Sequence, residues 1–387
     1  MPDSTVLTTE QQAAYDRVED WVRTGASKPL TLGGYAGTGK TTLVKHLLTG
    51  PLTNAIVLAP TGKACQVLRR KGVPANTIHS LLYKPVEDSK GRLTFIRKPV
   101  DLDDERLVID ESSMISREVY EDLLSLRARI LFVGDHGQLE PVGDDPGIMK
   151  SPDIRLETIM RQALDSPITA LAHAARTGQK PTITDVSDPD NDSYLIVDPN
   201  APSAALTTCY DQTICLTNDT RIKLNLERLK LERVRKDYPS PKERVVCKGD
   251  KIICLRNDWT VGVMNGQTLD VLSAWKSGDG LTVEIEAVDD SGRSLIVHAL
   301  AAQFGNKANL GREAKTLSYR TKTTIGLFDY GWAITCHKSQ GSEWESVLVV
   351  EEPIYYGSWD MNRWRYTAIT RASKRLHYYA PGLRHAE

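Results

Sequence analysis

The run Gly34-Tyr-Ala-Gly-Thr-Gly39-Lys40-Thr41 has the G-x-x-x-x-G-K-[ST] spacing of a phosphate-binding loop. Glycines let backbone N–H groups approach phosphate oxygens without a Cβ clash, Lys40 can reach the β and γ oxygens, and Thr41 can offer its hydroxyl to Mg²⁺. Nucleotide contacts are therefore expected at Gly34, Ala36, Gly37, Thr38, Gly39, Lys40, Thr41 and Thr42. Farther along, Leu107-Val-Ile109 runs into Asp110-Glu111, which sets two carboxylates at the end of a strand. In that position Asp110 would hold the Mg²⁺ and Glu111 would activate the attacking water. A third polar group is Gln138, within Gly134-Asp-His-Gly-Gln-Leu-Glu-Pro-Val142. It can donate to a γ-phosphate and accept from water, or else satisfy its own loop.

Such groups must be carried by strands that end at one edge of a sheet. Continuous apolar runs at Leu30–Leu32, Ala55–Leu58, Leu107–Ile109, Ile130–Val133, Thr213–Leu216 and Ser346–Val350 read as strands buried on both faces. They alternate with helical patterns such as Thr41–Leu48, Lys63–Arg70 and Arg117–Leu126, which predicts an α/β protein of βαβ units and parallel sheets. Between about Lys251 and Arg320 the period becomes that of strands with one face exposed, in Leu281–Ile285 and Ser294–His298, with turn residues at Ser277–Gly280 and Asp289–Gly292. That pattern predicts a small antiparallel β-barrel. A hairpin is expected where Leu82–Val86 and Arg92–Ile96 flank Asp88–Gly91.

The 387 residues suffice for two or three domains. Hydrophobic residues at 40% and charged residues at 26% exclude a disordered or collagen-like chain. No apolar run approaches the roughly 20 residues of a membrane span, and Met1–Thr5 lacks the basic and apolar stretches of a signal peptide, so a cytoplasmic protein is expected. Six cysteines, at 65, 209, 215, 247, 254 and 336, have no C-x-x-C spacing and read as separate reduced thiols.

Charge is near balance, 49 Lys+Arg against 50 Asp+Glu, which argues against a nucleic-acid binder unless the charges are segregated. Lys63–Lys71 holds four basic residues and no acid, Arg221–Lys251 holds eleven basic against five acidic, and Arg363–Arg375 holds a third basic group. Acids collect instead at Asp185, Asp188, Asp190, Asp192 and Asp198, a stretch that reads as a solvated linker or surface loop.

Taken in order, the motifs span nearly the whole chain. Leu7-Thr8-x-x-Gln11 precedes the phosphate loop; Ala59-Pro-Thr61-Gly-Lys63-Ala64, Thr77-Ile-His79-Ser80, Val108–Met114 and Gly134–Val142 follow it. Leu156-x-x-Ile-Met-Arg161-Gln162, Thr217-Asn218 with Asn225, Thr335-Cys-His337-Lys-Ser-Gln340-Gly-Ser-Glu343 and Tyr366-Thr-Ala-Ile-Thr-Arg371-Ala close the series. This series resembles the superfamily 1 helicases, in the subgroup of RecD, the phage helicase Dda and the Pif-type enzymes. The resemblance implies two RecA-like domains with ATP between them and single-stranded DNA across their tops. The first would be residues 1–155 with a hairpin insertion at 82–106, the second 156–250 with 321–387, and the barrel an accessory insertion at 251–320.

It further implies that Gln11 reads adenine, that Gln340 and Glu343 touch the nucleotide, and that Arg161 and Arg371 are arginine fingers beside Lys40, Glu111 and Gln138. Thr61, Lys63, Thr77, His79, Asn218, Thr335 and His337 match the family's strand-contacting positions, although His79 and His337 also read as packing histidines. Phe95 would be either a strand-separating pin or a packing residue of the hairpin. Cys336 and Trp344 depart from the usual aliphatic residue and Phe, conservatively for packing.

The activity implied is 5′→3′ translocation and duplex unwinding by a monomer using ATP and Mg²⁺. Its partners would be single-stranded and forked DNA, with a single-strand binding protein or a replication or recombination complex, in a bacterial or phage-infected cell and without a membrane. A small-molecule kinase is the second reading, for which no acceptor or lid motif is seen. A silent DNA-binding subunit is the third; the intact Lys40, Asp110, Glu111, Gln138, Arg161 and Arg371 speak against it.

Overall fold

The computed structural model describes residues 6–87, 93–141, 143–160, 166–188, 193–200, 202–235, 245–256, 258, 260–278, 280–289, 292–306, 325–353 and 360–381. Three sheets organise them. The first is wholly parallel, in the order β3 (Asn76–Thr77), β2 (Ile56–Ala59), β6 (Arg106–Ile109), β7 (Arg129–Gly134), β1 (Leu30–Gly34) and β8 (Ile154–Leu156). The second runs β17 (Ala333–Thr335), β11 (Gln212–Cys215), β18 (Trp344–Val350), β19 (Ala372–Tyr379), β10 (Ser193–Asp198) and β9 (Thr184–Asp188), parallel except at β9. The third is antiparallel: β15 (Ser294–Leu300), β14 (Thr282–Asp289), β13 (Thr268–Lys276), β12 (Lys251–Cys254) and β16 (Phe328–Tyr330). An isolated bridge from Ala299 to Gly326 brings its two edges together. A separate two-stranded hairpin joins β4 (Tyr83–Glu87) to β5 (Leu93–Arg97).

The six apolar runs are therefore β1, β2, β6, β7, β11 and β18, buried because helices cover both faces of their sheets. On one face of the first sheet lie α1 (Thr9–Thr24), α2 (Lys40–Thr49) and α3 (Gly62–Arg70), through Val18, Leu43, Leu47 and Leu68. On the other lies α5 (Arg117–Leu124), with Leu123 against Ile109 and Phe132, next to the short α4 (Ile78–Leu82). Side chains such as Leu47, fully buried, each stabilise by about 1.5–3 kcal/mol. The second sheet is covered by α6 (Pro167–Arg176) and α9 (Met361–Ile369), through Ala172, Trp364 and Ile369, and the short α8 (Cys336–Ser339) follows β17.

Helix starts follow local chemistry. Thr8 and Gln11 form a capping box ahead of α1, which ends at Gly25 in the left-handed region, φ +65°. Thr61 Oγ1 accepts the Ala64 N–H at α3, and Thr77 Oγ1 accepts the Ser80 N–H at α4, both at 3.1 Å.

Helix α7 (Asn218–Arg235) fastens the second sheet to the third. Arg221 Nη1 meets Asp329 Oδ2 at 2.8 Å, and Arg233 binds both oxygens of Asp250 at 2.8 and 2.6 Å. Asn225 donates to the carbonyls of Tyr330 and Ala333 and accepts the Ala333 N–H. These pairs are buried, so the helix is held by fully desolvated charge.

Three expectations change. The acidic stretch is no linker: Thr184–Asp188 and Ser193–Asp198 pair as an antiparallel hairpin on the edge of the second sheet, with Asp190 and Asp192 outside the described residues. An exposed edge strand needs no apolar face, which is why its acids hid it. The first sheet continues to Leu156, which pairs with Gly34, one residue past the expected boundary at 155. The antiparallel sheet continues past residue 320, because Ile252–Cys254 pairs with Phe328–Tyr330. Among the described residues no helix is long and apolar enough to cross a membrane.

Candidate nucleotide site and nucleic-acid cleft

The phosphate loop leaves β1 and enters α2. Gly37 and Gly39 have φ of +80° and +78°, a region that L side chains rarely adopt, and a Cβ on Gly39 would collide with Gln11 Nε2. Lys40 Nζ folds over the loop onto the carbonyls of Gly34 (2.7 Å) and Tyr35 (2.9 Å) and lies 3.9 Å from Asp135 Oδ2. Thr38 is buried; its hydroxyl donates to Tyr35 O at 2.8 Å and its carbonyl accepts Gln11 Nε2 at 3.0 Å. Gln11 Oε1 meanwhile accepts the Thr8 N–H, so both polar ends of Gln11 are engaged within the protein. Thr41 and Thr42 are the second and third residues of α2.

Asp110 and Glu111 follow β6 directly. Burial raises the pKa of both carboxyls, and the Asp110 charge raises that of Glu111 further, against the pull of Arg371 and Lys40. Glu111 is held at φ +51°, an uncommon conformation for a non-glycine residue and one found at functional sites. Gln138 Nε2 is 3.5 Å from Asp135 Oδ2, whereas its Oε1 is buried and has no hydrogen-bond partner among the described residues. A buried acceptor without a partner is costly unless something else supplies the donor.

Groups from the second sheet's side close on this loop. The Tyr366 hydroxyl on α9 accepts the Ala36 N–H at 2.6 Å and donates to Asp135 Oδ2 at 2.7 Å. Hence the Ala36 amide, expected to face phosphate, is already bonded. His173 Nε2 on α6 is 3.2 Å from Ala36 O, and the Arg176 guanidinium lies 3.7 Å above the Tyr35 ring. The loop after β7 is bound likewise: Thr367 Oγ1 accepts the Leu139 N–H, Gln340 Nε2 donates to Leu139 O, and Arg363 Nη1 donates to Gln138 O. Arg371 is buried, with its guanidinium donating to Thr367 O, Ser342 O and Thr370 Oγ1, each at 3.0 Å. Arg161 lies outside the described residues.

A cleft of about 730 Å³ runs across the tops of the sheets. Of the expected strand-contacting residues, Thr61, Lys63, His79, Asn218, Thr335 and His337 line it. Thr77 is the N-cap of α4, and the Phe95 side chain lies outside the described residues. Burial lowers the pKa of His79 and His337, so both imidazoles are neutral near pH 7 and can donate to phosphate without adding charge. The ends of α3 and α7 that open on the cleft are N-termini, where unpaired N–H groups and the helix dipole favour anions.

Two expected nucleotide contacts stand elsewhere. Gln340 lines the long cleft and binds Leu139, while Glu343 pairs with Lys71 at 3.5 Å beside a smaller cleft of about 380 Å³ along α3. Lys63 sits 4.0 Å from the Trp344 ring centroid, a cation–π contact with a residue of the second sheet. Cys336 is buried in the core, its thiol pushed up to about 12 by burial. The basic groups also read differently once paired: Arg221 and Arg233 are structural, Arg365 binds Glu351 through two oxygens, and Lys374 lies 3.7 Å from Glu345.

The structure gives contacts to residues for which the sequence patterns carried no individual role. Met264–Gln267, the turn between β12 and β13, reaches the cleft, and Asn265 Oδ1 accepts from Lys338 Nζ at 2.6 Å. Burial pushes Lys338 down to about 8. Tyr366, His173, Arg176, Thr367 and Arg363 complete the contacts at the two loops. Lys338, Tyr366 and Thr367 lie within the ordered motifs and Arg363 opens a basic group, which were the available signals; His173 and Arg176 had none.

Comparison with known proteins supplies context. A family model described as "AAA domain" matches residues 6–191, and one described as "UvrD-like helicase C-terminal domain" matches 330–379. The ATP-dependent RecD2 DNA helicase of Deinococcus radiodurans is 28% identical over 400 residues, covering 96% of this chain and 48% of that protein. The ATP-dependent DNA helicase dda of Enterobacteria phage T4 is 38% identical over 128 residues, 30% of this chain and 29% of that one. The chain thus spans about half or less of the length of these relatives. Among solved structures, the Bacteroides Pif1 helicase in complex with ADP-AlF3 and ssDNA matches with TM-score 0.53 and 19% identity over 97% of this chain and 92% of that one, a likeness of fold. Pif1 helicase from Candida albicans matches with TM-score 0.51 and 17% identity over 97% and 94%.

Proposed function

We propose that the chain is a member of the RecD/Dda/Pif-like subgroup of superfamily 1 helicases, an ATP-dependent DNA helicase moving 5′→3′ on single-stranded DNA. In this reading the first and second sheets are the cores of two RecA-like domains, and the hairpin at β4–β5 and the barrel at β12–β16 are insertions. The observation that carries the proposal is continuity between two sites. Gln340 lines the long cleft and bonds the same Gln138–Leu139 segment that faces Asp135 and Lys40. Nucleotide state and strand grip therefore share one polar network.

ATP is the substrate of the loop. Lys40, now over the loop carbonyls, would turn to the β and γ oxygens; the loop amides and the α2 N-terminus would bind the rest of the phosphate chain. Asp110 and Glu111 fit a cation, since an enclosed carboxyl pair with raised pKa is relieved by positive charge. Thr41 and Asp110 would hold Mg²⁺, which supplies charge neutralisation on the β and γ oxygens. Glu111 would take the proton of the attacking water, and Gln138 Oε1, which has no partner among the described residues, would orient that water. Arg371 would answer the developing charge once its carbonyl contacts are exchanged for phosphate. In the long cleft the hydroxyls of Thr61 and Thr335, the neutral imidazoles and the helix N-termini suit phosphates without reading bases.

The test is ATP hydrolysis with and without oligo-dT, followed by unwinding of duplexes with 5′ or 3′ single-stranded tails. Strong stimulation and unwinding from 5′ tails alone are expected. Lys40→Ala abolishes hydrolysis and leaves single-strand binding largely intact; unwinding by that variant would overturn the reading. A rate indifferent to oligo-dT would instead favour a kinase-like NTPase, and no turnover a silent subunit.

A further inference from the structure

The phosphate loop is gripped from the second sheet's side at one residue, Ala36. Its N–H donates to the Tyr366 hydroxyl on α9 (2.6 Å), and its carbonyl faces His173 Nε2 on α6 (3.2 Å). The Tyr366 hydroxyl proton goes to Asp135 Oδ2 (2.7 Å), the atom that also lies 3.9 Å from Lys40 Nζ and 3.5 Å from Gln138 Nε2. Tyr366 is completely buried, and α9 carries two further ties to the same β7 loop: Thr367 to the Leu139 N–H and Arg363 to Gln138 O. The bonds made by Tyr366, His173, Thr367 and Arg363 each join a loop of the first sheet to a helix packed on the second, so all of them depend on the two sheets staying together.

We propose that Tyr366 and His173 are positioning residues, a clasp on Ala36 that couples nucleotide in the loop to single-stranded DNA in the long cleft. The proposal rests on the helicase reading above. Its physical content is a two-state element: clasped, the loop's first peptide groups and the Asp135–Leu139 segment are fixed relative to Gln340 and the cleft; unclasped, the two sites no longer constrain each other. Neither residue lines the strand cleft; Tyr366 holds the Ala36 N–H of the loop, and the remaining loop amides are left to the phosphates. Their effect is on how strongly one ligand changes the affinity for the other.

The experiment is a linkage measurement on the full chain. The dissociation constant of fluorescent oligo-dT is determined with and without a non-hydrolysable ATP analogue, and that of a fluorescent analogue with and without oligo-dT; the two ratios must agree. Tyr366→Phe, which removes both bonds of the hydroxyl, is expected to reduce the coupling ratio roughly tenfold, the factor that one lost hydrogen bond to a carboxylate is worth. His173→Ala should lower it as well, whereas His173→Gln, whose amide N–H can still donate to Ala36 O, should restore it toward wild type. The double variant Tyr366→Phe/His173→Ala should fall no further than Tyr366→Phe, because both act through one clasp. A coupling ratio in Tyr366→Phe within twofold of wild type, or equal losses in His173→Ala and His173→Gln, overturns the clasp. A wild-type chain whose hydrolysis ignores oligo-dT overturns the helicase reading itself, and the clasp with it. Wild-type stimulation with unaltered variants overturns the clasp alone.

Discussion

Replacing Arg221 by methionine tests how the antiparallel barrel is held. Arg221 and Asp329 are 2% and 1% exposed, 2.8 Å apart, and Asp329 Oδ1 also accepts the N–H groups of Gly305 (2.7 Å) and Tyr330 (2.8 Å). Burial pushes the Asp329 carboxyl up and Arg221 is the main group pulling it back, so Arg221→Met leaves a buried carboxylate with two amide donors and no cation. Breaking such a pair costs about 3–5 kcal/mol. An unfolding entropy near 2.1 cal/mol/K per residue gives roughly 0.8 kcal/mol/K over the 387 residues if they melt as one unit, hence a Tm lower by about 4–6 °C. Adding Asp329→Asn, which keeps the acceptor for both amides and removes the charge, should return about 2 kcal/mol in a double-mutant cycle. Urea unfolding followed by tryptophan fluorescence, with calorimetry alongside, measures both. Oligo-dT affinity should weaken too, since Arg221 Nε donates to Asn218 Oδ1 (3.2 Å) at the cleft wall. A single-variant cost under 1 kcal/mol, or strict additivity with Asp329→Asn, would refute the reasoning.

Lys338 offers a pH signature. Burial lowers it from 10.5 to about 8, so below pH 8 it is charged in both folded and unfolded chains and the burial cost is carried in full. Between about pH 8 and 10.5 only the unfolded chain keeps the proton, and this residue makes stability rise with pH. Above pH 8 its charge is also lost to the cleft, so the slope of log Kd for oligo-dT against log salt should drop by about 0.7 between pH 7 and 9.5; Lys338→Met should abolish that difference. Gly39→Ala should weaken ATP binding roughly tenfold or more by forcing a side chain into a left-handed backbone against Gln11, while Gly62→Ala, with open space around it, leaves ATP affinity unchanged; equal effects in the two would argue against the cradle. Glu111→Gln should cut stimulated turnover about 10²–10⁴-fold with ATP still bound, and a loss below tenfold would remove Glu111 as the base.

Strands flanked by helices on both faces, such as β1 and β7, were legible because burial on two sides demands unbroken apolar runs. The phosphate loop was legible because positive φ and close approach leave little but glycine at Gly37 and Gly39. β9 was not, since Thr-Asp-Val-Ser-Asp on a sheet edge satisfies neither a two-faced nor a one-faced apolar pattern. Pairing was the larger blind spot. Arg221 and Arg233 look like part of a basic field until Asp329, 108 residues away, and Asp250 are folded against them. Tyr366 and Ala36 are 330 residues apart, and a tyrosine hydroxyl bonded across domains leaves no periodicity in either segment.

The acidic edge formed by β9 bears on how the molecule behaves in a crowded solution. Among the described residues β9 pairs with β10 alone, which leaves its outer row of N–H and C=O groups without a strand partner there, and Val186 on it is 42% exposed. Such an edge is a template on which a second copy could add its own β9 and begin a continuous inter-chain sheet. Asp185, exposed on that strand, would then meet the same carboxylate from the incoming copy, and like charge at strand-pairing distance makes the addition unfavourable. These carboxylates count fully against the basic residues in the whole-chain sum while lying on a different strand edge from the cleft. A formal charge of −1 thus reflects a self-repelling rim and an anion-seeking channel on one molecule, and raising the salt should weaken both at once, loosening the DNA grip while easing self-association.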